Sequence, residues 1–247
     1  MICSFGLSLK PLNLGEKIYK YSNYDSIKKI LLENGFTRDE IKKIVVSNFL
    51  TKDFIIEDKS YLIKISSINS DVTIKLLKFL FYYKISNKII FINNTKFKIV
   101  NIYHNNYISK QFDIEKICSE ELKKEIKLKI INPLFFKIGN EYIASIEPEY
   151  IFKNLLVKMK KSSLIENIEL KNEFNFNNIK IKEKNIKSKY IKDLKTEGII
   201  GEITYVIENE DIELIKFFNL ALYFSFFSGI GYLTEKGYGQ NISSLLK

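Results

Sequence analysis

Four of the chain's ten glycines fall within eleven residues near its end, in "FFSGIGYLTEKGYGQN" (226–241): Gly229, Gly231, Gly237 and Gly239. A backbone so free of Cβ atoms can bend sharply or lie close against something large. Lys236 stands within it as a point charge. The spacing fits neither common glycine-loop chemistry. A dinucleotide fingerprint must lead into a helix and a further strand, and only eight residues follow Gly239. A P-loop ends in Gly-Lys-Ser/Thr, whereas here Lys236 precedes its glycine. A second set of residues suited to phosphate chemistry lies in "IKIKEKNIKSKYIKDLK" (179–195). Lys180, Lys182, Lys184, Lys187 and Lys189 recur at nearly every second position. On a strand, that alternation is expected to place their ammonium groups on one face, as a stripe for a polyanion.

The bulk composition agrees. The net charge is +10, and residues 151–196 hold 12 lysines against 5 acidic residues, which accounts for +7 of it. Such a balance points to a polyanionic partner. At 46% hydrophobic the chain can build a core. The two cysteines, Cys3 and Cys118, lie far apart, and His104 is the sole histidine. No zinc site, other metal site or cofactor is therefore expected, and a reducing cytoplasm is the natural setting. No apolar run reaches the length of a membrane span, and "MICSFGLSLKP" is too short and polar for a signal peptide.

The elements that must position these residues follow from pattern. A strand is expected at 2–9, a helix at 23–35 ended by Gly35, and strands at 42–50 and 60–68. A helix at 70–83 capped by Ser70 precedes a hairpin at 88–103 turning at Asn93-Asn94. After a connecting helix or linker at 112–126 the pattern restarts. It runs as a strand at 126–138, a helix at 148–163 with Pro148 near its start, and β structure at 175–192. A strand at 198–208 and a helix at 211–229, bounded by Asp211 and Gly229, lead to the glycine loop and a short last strand. Strand, helix, two strands, helix, strand thus occurs twice. The expected fold class is α+β, two tandem ferredoxin-like βαββαβ domains, 1–122 and 123–247 with the terminal glycine-rich loop. RNA-binding modules use this plan, although the fold alone fixes no function.

The C-terminal stretch resembles a known family. "GIIGEITYVI", an apolar helix and then "GIGYLTEKGYGQ" look like the end of the CRISPR repeat-processing endoribonucleases, the Cas-six family of the RAMP superfamily. Gly229, Gly231, Thr234, Gly237, Tyr238 and Gly239 fit its Gly-x-Gly, Thr/Ser, Gly-aromatic-Gly pattern. "INPLFFKIGNEY" and "VVSNFLTKDFIIEDKSYLIKISSINSDV" resemble strands of the second and first halves. The resemblance implies CRISPR repeat RNA as partner, with RAMP effector-complex subunits or a second copy of the chain as further candidates, and no membrane. It implies metal-independent cleavage, in which the ribose 2′-OH attacks the adjacent phosphate and leaves a 2′,3′-cyclic phosphate and a 5′-OH. The loop would then meet phosphates through backbone N–H groups and Lys236, and Tyr232 and Tyr238 would be placed to stack on bases.

Many members carry a catalytic Tyr on the first helix, a His shortly after it and a Lys before the next strand. Tyr19 matches the first, and Lys42 or Lys43 the last. The histidine is missing: its place falls within "LLENGF", between Leu32 and Phe36. His104 lies about seventy residues later and is a poor substitute, whereas Tyr21 and Tyr24 stand near enough to Tyr19 to take its role. A Tyr-Lys pair without His must do its proton transfers with groups that do not ordinarily titrate near neutrality.

Overall fold

The structure is a computed structural model that describes residues 2–12, 23–47, 60–92, 95–104, 109–162 and 174–246. Two units divide the chain. One runs up to Gln111 and includes Glu235–Gly237; the other holds Phe112–Thr234 and the residues from Tyr238 onward.

In the first unit, β1 (Ile2–Pro11) sends Phe5, Leu7 and Leu9 into the core and Ser4, Gly6 and Ser8 to the other face. α1 (Tyr24–Glu33) ends as expected before Gly35, which takes φ 83°. A further turn, α2 (Arg38–Ile41), is set by a capping box. Thr37 Oγ1 accepts from the Glu40 amide at 3.2 Å, and Glu40 Oε2 accepts from the Thr37 amide at 2.7 Å. β2 (Ile44–Val46) and β3 (Tyr61–Ser67) precede α3 (Ser70–Ile85). The cap of α3 is Asn69 rather than Ser70, since Asn69 Oδ1 accepts from the Val72 amide at 3.1 Å. β4 (Ile89–Ile92) and β5 (Thr95–Tyr103) pair as the expected hairpin, whose turn residues Asn93 and Asn94 lie outside the described residues. β6 (Gln111–Phe112) adds to β1. The sheet order is β2-β3-β1-β5-β4. Ile27 and Leu31 of α1 and Val72, Leu76 and Leu80 of α3 join one core with Ile63, Ile65 and Phe97 of the sheet.

The second unit opens on α4 (Ile114–Ser119), capped by Asp113. β7 (Glu125–Leu134), β8 (Phe136–Ile138) and β9 (Glu141–Ile143) follow. The stretch expected as one strand at 126–138 breaks at Phe135. Its ladder slips between Ile130 and Leu134, Pro133 has no N–H to donate, and the amides of Ile131 and Asn132 both turn to Gln240 O. β8 and β9 therefore form a hairpin of their own. α5 (Pro148–Lys161), β10 (Ile179–Ile191), β11 (Thr196–Ile207), α6 (Ile212–Ser228) and β12 (Asn241–Ser243) complete the unit, with sheet order β10-β11-β7-β12.

In each unit the third core strand sits beside the first with the second outside it, and the last lies on the first strand's far side. That is the ferredoxin-like order, present twice. α6 supplies much of the second core: Phe217, Phe218, Leu222, Phe224 and Phe227 are fully buried. Phe152 of α5 meets Phe218 with ring centroids 5.5 Å apart. No helix among the described residues is long and apolar enough to cross a membrane.

Candidate nucleic-acid interface

The glycine-rich segment begins where α6 stops. Asp211 starts that helix by accepting from the amides of Glu213 and Leu214, and Gly229 ends it at φ 65°. From there five backbone amides donate to acceptors inside the protein. The Gly229 amide donates to Ser225 O at 2.8 Å, Ile230 to Gly239 O at 3.0 Å, Tyr232 to Phe135 O at 2.8 Å and Gly239 to Pro133 O at 3.0 Å. The Gly231 amide donates to Asn154 Oδ1 at 2.9 Å. Asn241 and Ser225 bond side chain to side chain at 2.7 Å, and Asn241 Nδ2 also reaches Gly239 O at 3.2 Å.

The glycines are there because other backbone lies against them. A Cβ on Gly231 would stand 2.3 Å from Phe135 O, and one on Gly239 would stand 1.7 Å from Ile230 O. The expected cradle of free N–H groups is thus committed at residues 229–232 and 239. Thr234–Lys236, a single 3-10 turn, is left as the tip. Lys236 groups with the first unit, its Nζ 4.0 Å from Asp25 Oδ2.

The two loop tyrosines are packed. The Tyr238 ring meets Phe135 edge to face at 5.3 Å and Tyr232 meets it at 6.1 Å, with Tyr142 completing the cluster. Burial, and secondarily the Asp193 charge, push the Tyr238 hydroxyl above its ordinary value. Each tyrosine keeps partial exposure, so one edge of the cluster faces outward.

The lysine stripe is broken by a β-bulge. β10 and β11 slip register between Ile181 and Glu183, which leaves Lys182 in the bulge. Cross-strand partners share a face. Lys180, Lys187 and Lys189 stand opposite Val206, Ile200 and Gly198, but Lys184 stands opposite Ile203, whose side chain enters the core. The single face expected for all five thus holds Lys180, Lys187 and Lys189, because a one-residue slip turns every later side chain over. All five lysines are exposed, and Lys182 pairs with Glu125 at 2.7 Å.

The residues singled out for cleavage are placed as follows. Tyr19 and Tyr21 lie outside the described residues. Lys42 and Lys43 form the turn between α2 and β2. The Lys42 side chain is 74% exposed and pairs with Asp39 at 2.7 Å, whereas Lys43 is half-buried and its carbonyl accepts from the Ile68 amide at 3.0 Å. Tyr24 is buried in the first core, and desolvation first, then the charges of Glu235 and Asp25, raise its hydroxyl. His104 follows β5, which two strands separate from β2, so the sheet holds it on the order of 14 Å from the Lys42–Lys43 turn. The structure does not bring His104 to the lysines.

Two kinds of residue escaped the sequence reading. Asn154 and Lys158, four apart on α5, bond to the glycine loop. Their signal was the polar i, i+4 pair beside the apolar stripe Ile151, Leu155 and Met159. Lys64 of β3 is 4% exposed, and burial pushes its ammonium down to about 7. It lies opposite Gly6, and its amide donates to Ser47 Oγ at 2.8 Å. Among the described residues no group of three or more His, Cys, Asp or Glu gathers to hold a metal ion.

With this geometry in view, the likenesses to known proteins fall into place. No curated protein matches the chain by sequence. The family model of the CRISPR-associated endoribonuclease Cas6 matches residues 128–241, from β7 through the glycine loop to β12. Among solved structures, a Cas6 product complex aligns with TM-score 0.80 at 14% identity, covering 99% of this chain and 100% of that one. Thermus thermophilus Cas6 aligns with TM-score 0.70 at 13% identity over 98% of each chain. A Cas6-related protein from Pyrococcus furiosus aligns with TM-score 0.60 at 15% identity, again over 98% of each. At these identities the structural likeness establishes the fold, over both ferredoxin-like units. The sequence match is to the segment that carries the glycine loop. Residues 128–241 thus match the family model of the CRISPR-associated endoribonuclease Cas6, and both units carry the fold of the solved Cas6 structures.

Proposed function

We propose that the protein binds CRISPR repeat RNA and cuts it without a metal, by attack of a ribose 2′-OH on the adjacent phosphate. The observation that carries this reading is the family match over residues 128–241, which includes the glycine loop built into the second ferredoxin-like unit. Solved relatives with this fold include a Cas6 product complex and a Cas6 substrate mimic complex. Charge supports it: Lys180, Lys187 and Lys189 share one strand face and can follow a phosphate backbone.

The reaction needs a proton taken from the 2′-OH, one delivered to the leaving 5′-oxygen, and cationic stabilisation of the phosphorane between them. We assign the cationic role to Lys43 rather than Lys42, because Asp39 already neutralises the exposed Lys42. Tyr19 is the proposed proton-transfer residue. His104 is left out, held two strands away by the sheet.

The test is incubation of the purified protein with its repeat RNA in EDTA. The expected result is one discrete cut with a 2′,3′-cyclic phosphate end, abolished by a 2′-deoxy substitution at the cut site. Tight binding with no cut would replace the nuclease by an RNA-holding protein. Lys43→Met should lower the single-turnover rate by at least tenfold, the loss of one charge-assisted contact, while Lys42→Met stays near wild type.

A second expectation concerns the stripe. Changing Lys180, Lys187 and Lys189 together to Gln should reduce the slope of log K against log salt by roughly 2 to 3, close to one per phosphate contact. An unchanged slope would remove β10 from the RNA path. Lys184→Gln alone should leave it unaltered, since Lys184 stands on the other face of the strand.

A further inference from the structure

The loop that the family signature marks is held from below by one helix. Asn154 and Lys158 lie one turn apart on α5, so their side chains project from the same face. Asn154 Oδ1 accepts the Gly231 amide at 2.9 Å, and Asn154 Nδ2 approaches Gly231 O at 3.5 Å. Lys158 Nζ donates to Gly229 O at 3.0 Å and to Thr234 Oγ1 at 3.0 Å. Gly229 O belongs to the residue that ends α6, where the helix dipole concentrates negative charge, so an ammonium is favoured there. Thr234 opens the tip turn. Lys158 thereby ties the end of α6 to the start of the tip, and Asn154 fixes the backbone between them.

We propose that Asn154 and Lys158 are positioning residues for the RNA contact of the glycine-rich loop. They act by holding Gly229, Gly231 and Thr234 in the one arrangement that presents the tip. This rests on the RNA-binding reading above. Lys158 acts through the loop: its ammonium is directed at a loop carbonyl and a loop hydroxyl, in contrast to the outward lysines of β10.

The experiment compares wild type, Lys158→Met, Asn154→Ala and Asn154→Asp. It measures repeat-RNA affinity at several salt concentrations, melting temperature, and hydrogen exchange at the Gly231 amide without RNA. Lys158→Met keeps the aliphatic stem and removes the donors. It should weaken binding about tenfold or more, the scale of lost hydrogen bonds from a charged group. The salt slope should stay that of wild type, because the lost charge does not meet phosphate. Asn154→Ala should release the Gly231 amide to faster exchange, and Asn154→Asp, which keeps the acceptor, should restore its protection.

A salt slope lowered by about one in Lys158→Met would make Lys158 a direct phosphate contact and overturn the positioning role. Wild-type affinity in both Lys158→Met and Asn154→Ala, with Gly231 still protected, would overturn it as well. If Lys158→Met fails to fold, Asn154→Ala decides by the same measurements. If the wild type itself does not bind repeat RNA, the functional reading fails. The Gly231 exchange in Asn154→Ala and Asn154→Asp then still shows whether α5 holds the loop.

Discussion

Gly239→Ala should cost roughly 2–5 kcal/mol of stability and abolish measurable repeat-RNA binding. Two terms combine in that figure. Gly239 sits at φ 60°, where an L-residue with a Cβ pays about 1–2 kcal/mol. The new methyl would also lie 1.7 Å from Ile230 O and 2.8 Å from Ile230 C. Backbone must move to admit it, and overpacking of this sort costs about 1–3 kcal/mol. The contacts at risk are the bond from the Ile230 amide to Gly239 O, the bond from the Gly239 amide to Pro133 O, and the Asn241 bond to Gly239 O. Separating Gly239 from Ile230 therefore pulls apart the two ends of the loop.

Gly35 and Gly139 provide the control. Both have positive φ, 83° and 59°, and a Cβ on either meets nothing within 4 Å. Gly35→Ala and Gly139→Ala should show only the backbone term, about 1–2 kcal/mol. Urea unfolding of the three variants, paired with RNA titration, separates the cases. A Gly239→Ala midpoint equal to that of Gly139→Ala would mean that the loop yields freely despite the backbone packed against Gly239.

This distinction also shows where the sequence was legible. Four glycines in eleven residues announced a special backbone, and the family pattern placed it correctly in the second half. What the glycines do there could not be read from spacing. An open N–H cradle and a close-packed backbone crossing require the same residue type. Only the partners of Gly231 and Gly239, namely Phe135 O and Ile230 O, tell them apart.

The elements themselves were largely readable. Alternation pointed to β1, helical spacing of apolar residues to α1 and α3, and Pro148 near its start to α5. The misses have local causes. Pro133 and the amides turned to Gln240 O break the strand at Phe135, a tertiary contact that no window of sequence contains. The bulge at Lys182 re-sorted the lysine stripe, and composition carries no signal for a one-residue insertion. α2 is a single turn whose capping box, Thr37 and Glu40, was present in the sequence but too short to show periodicity. Within the site, the tyrosines were visible by type, while their packing on Phe135 depended on residues about a hundred positions away. Lys64 was invisible for a different reason: one lysine among 38 carries no mark of burial.

Lys64→Met should stabilise the protein at neutral pH by about 4 kcal/mol and remove a pH dependence that the wild type shows above pH 7. The sign follows from proton counting. In the unfolded chain the lysine holds its proton up to its ordinary 10.5; in the folded protein burial lowers it to about 7. Between those values the unfolded state binds more protons, so wild-type stability rises with pH through that window. Below pH 7 both states are protonated and the full cost of the buried ammonium remains. That cost is the gap between 10.5 and about 7 at roughly 1.4 kcal/mol per unit. Methionine fills nearly the same volume without a charge, and replacing a buried charge by an apolar group of similar size is commonly neutral or stabilising. Tyr24, Tyr205 and Tyr238, whose hydroxyls are raised by burial, weaken the fold only as pH passes their ordinary value near 10. They contribute equally to both proteins and cancel in the comparison. The measurement is the difference in urea-unfolding free energy between Lys64→Met and wild type at several pH values from 6 to 9.5. The advantage of the variant should be largest at pH 6 to 7 and should shrink by roughly 1.4 kcal/mol per unit above it. A difference that does not change with pH would show that Lys64 keeps its ordinary proton in the folded protein. The row formed by Ser47, Lys64 and Gly6 would then be solvating a full charge.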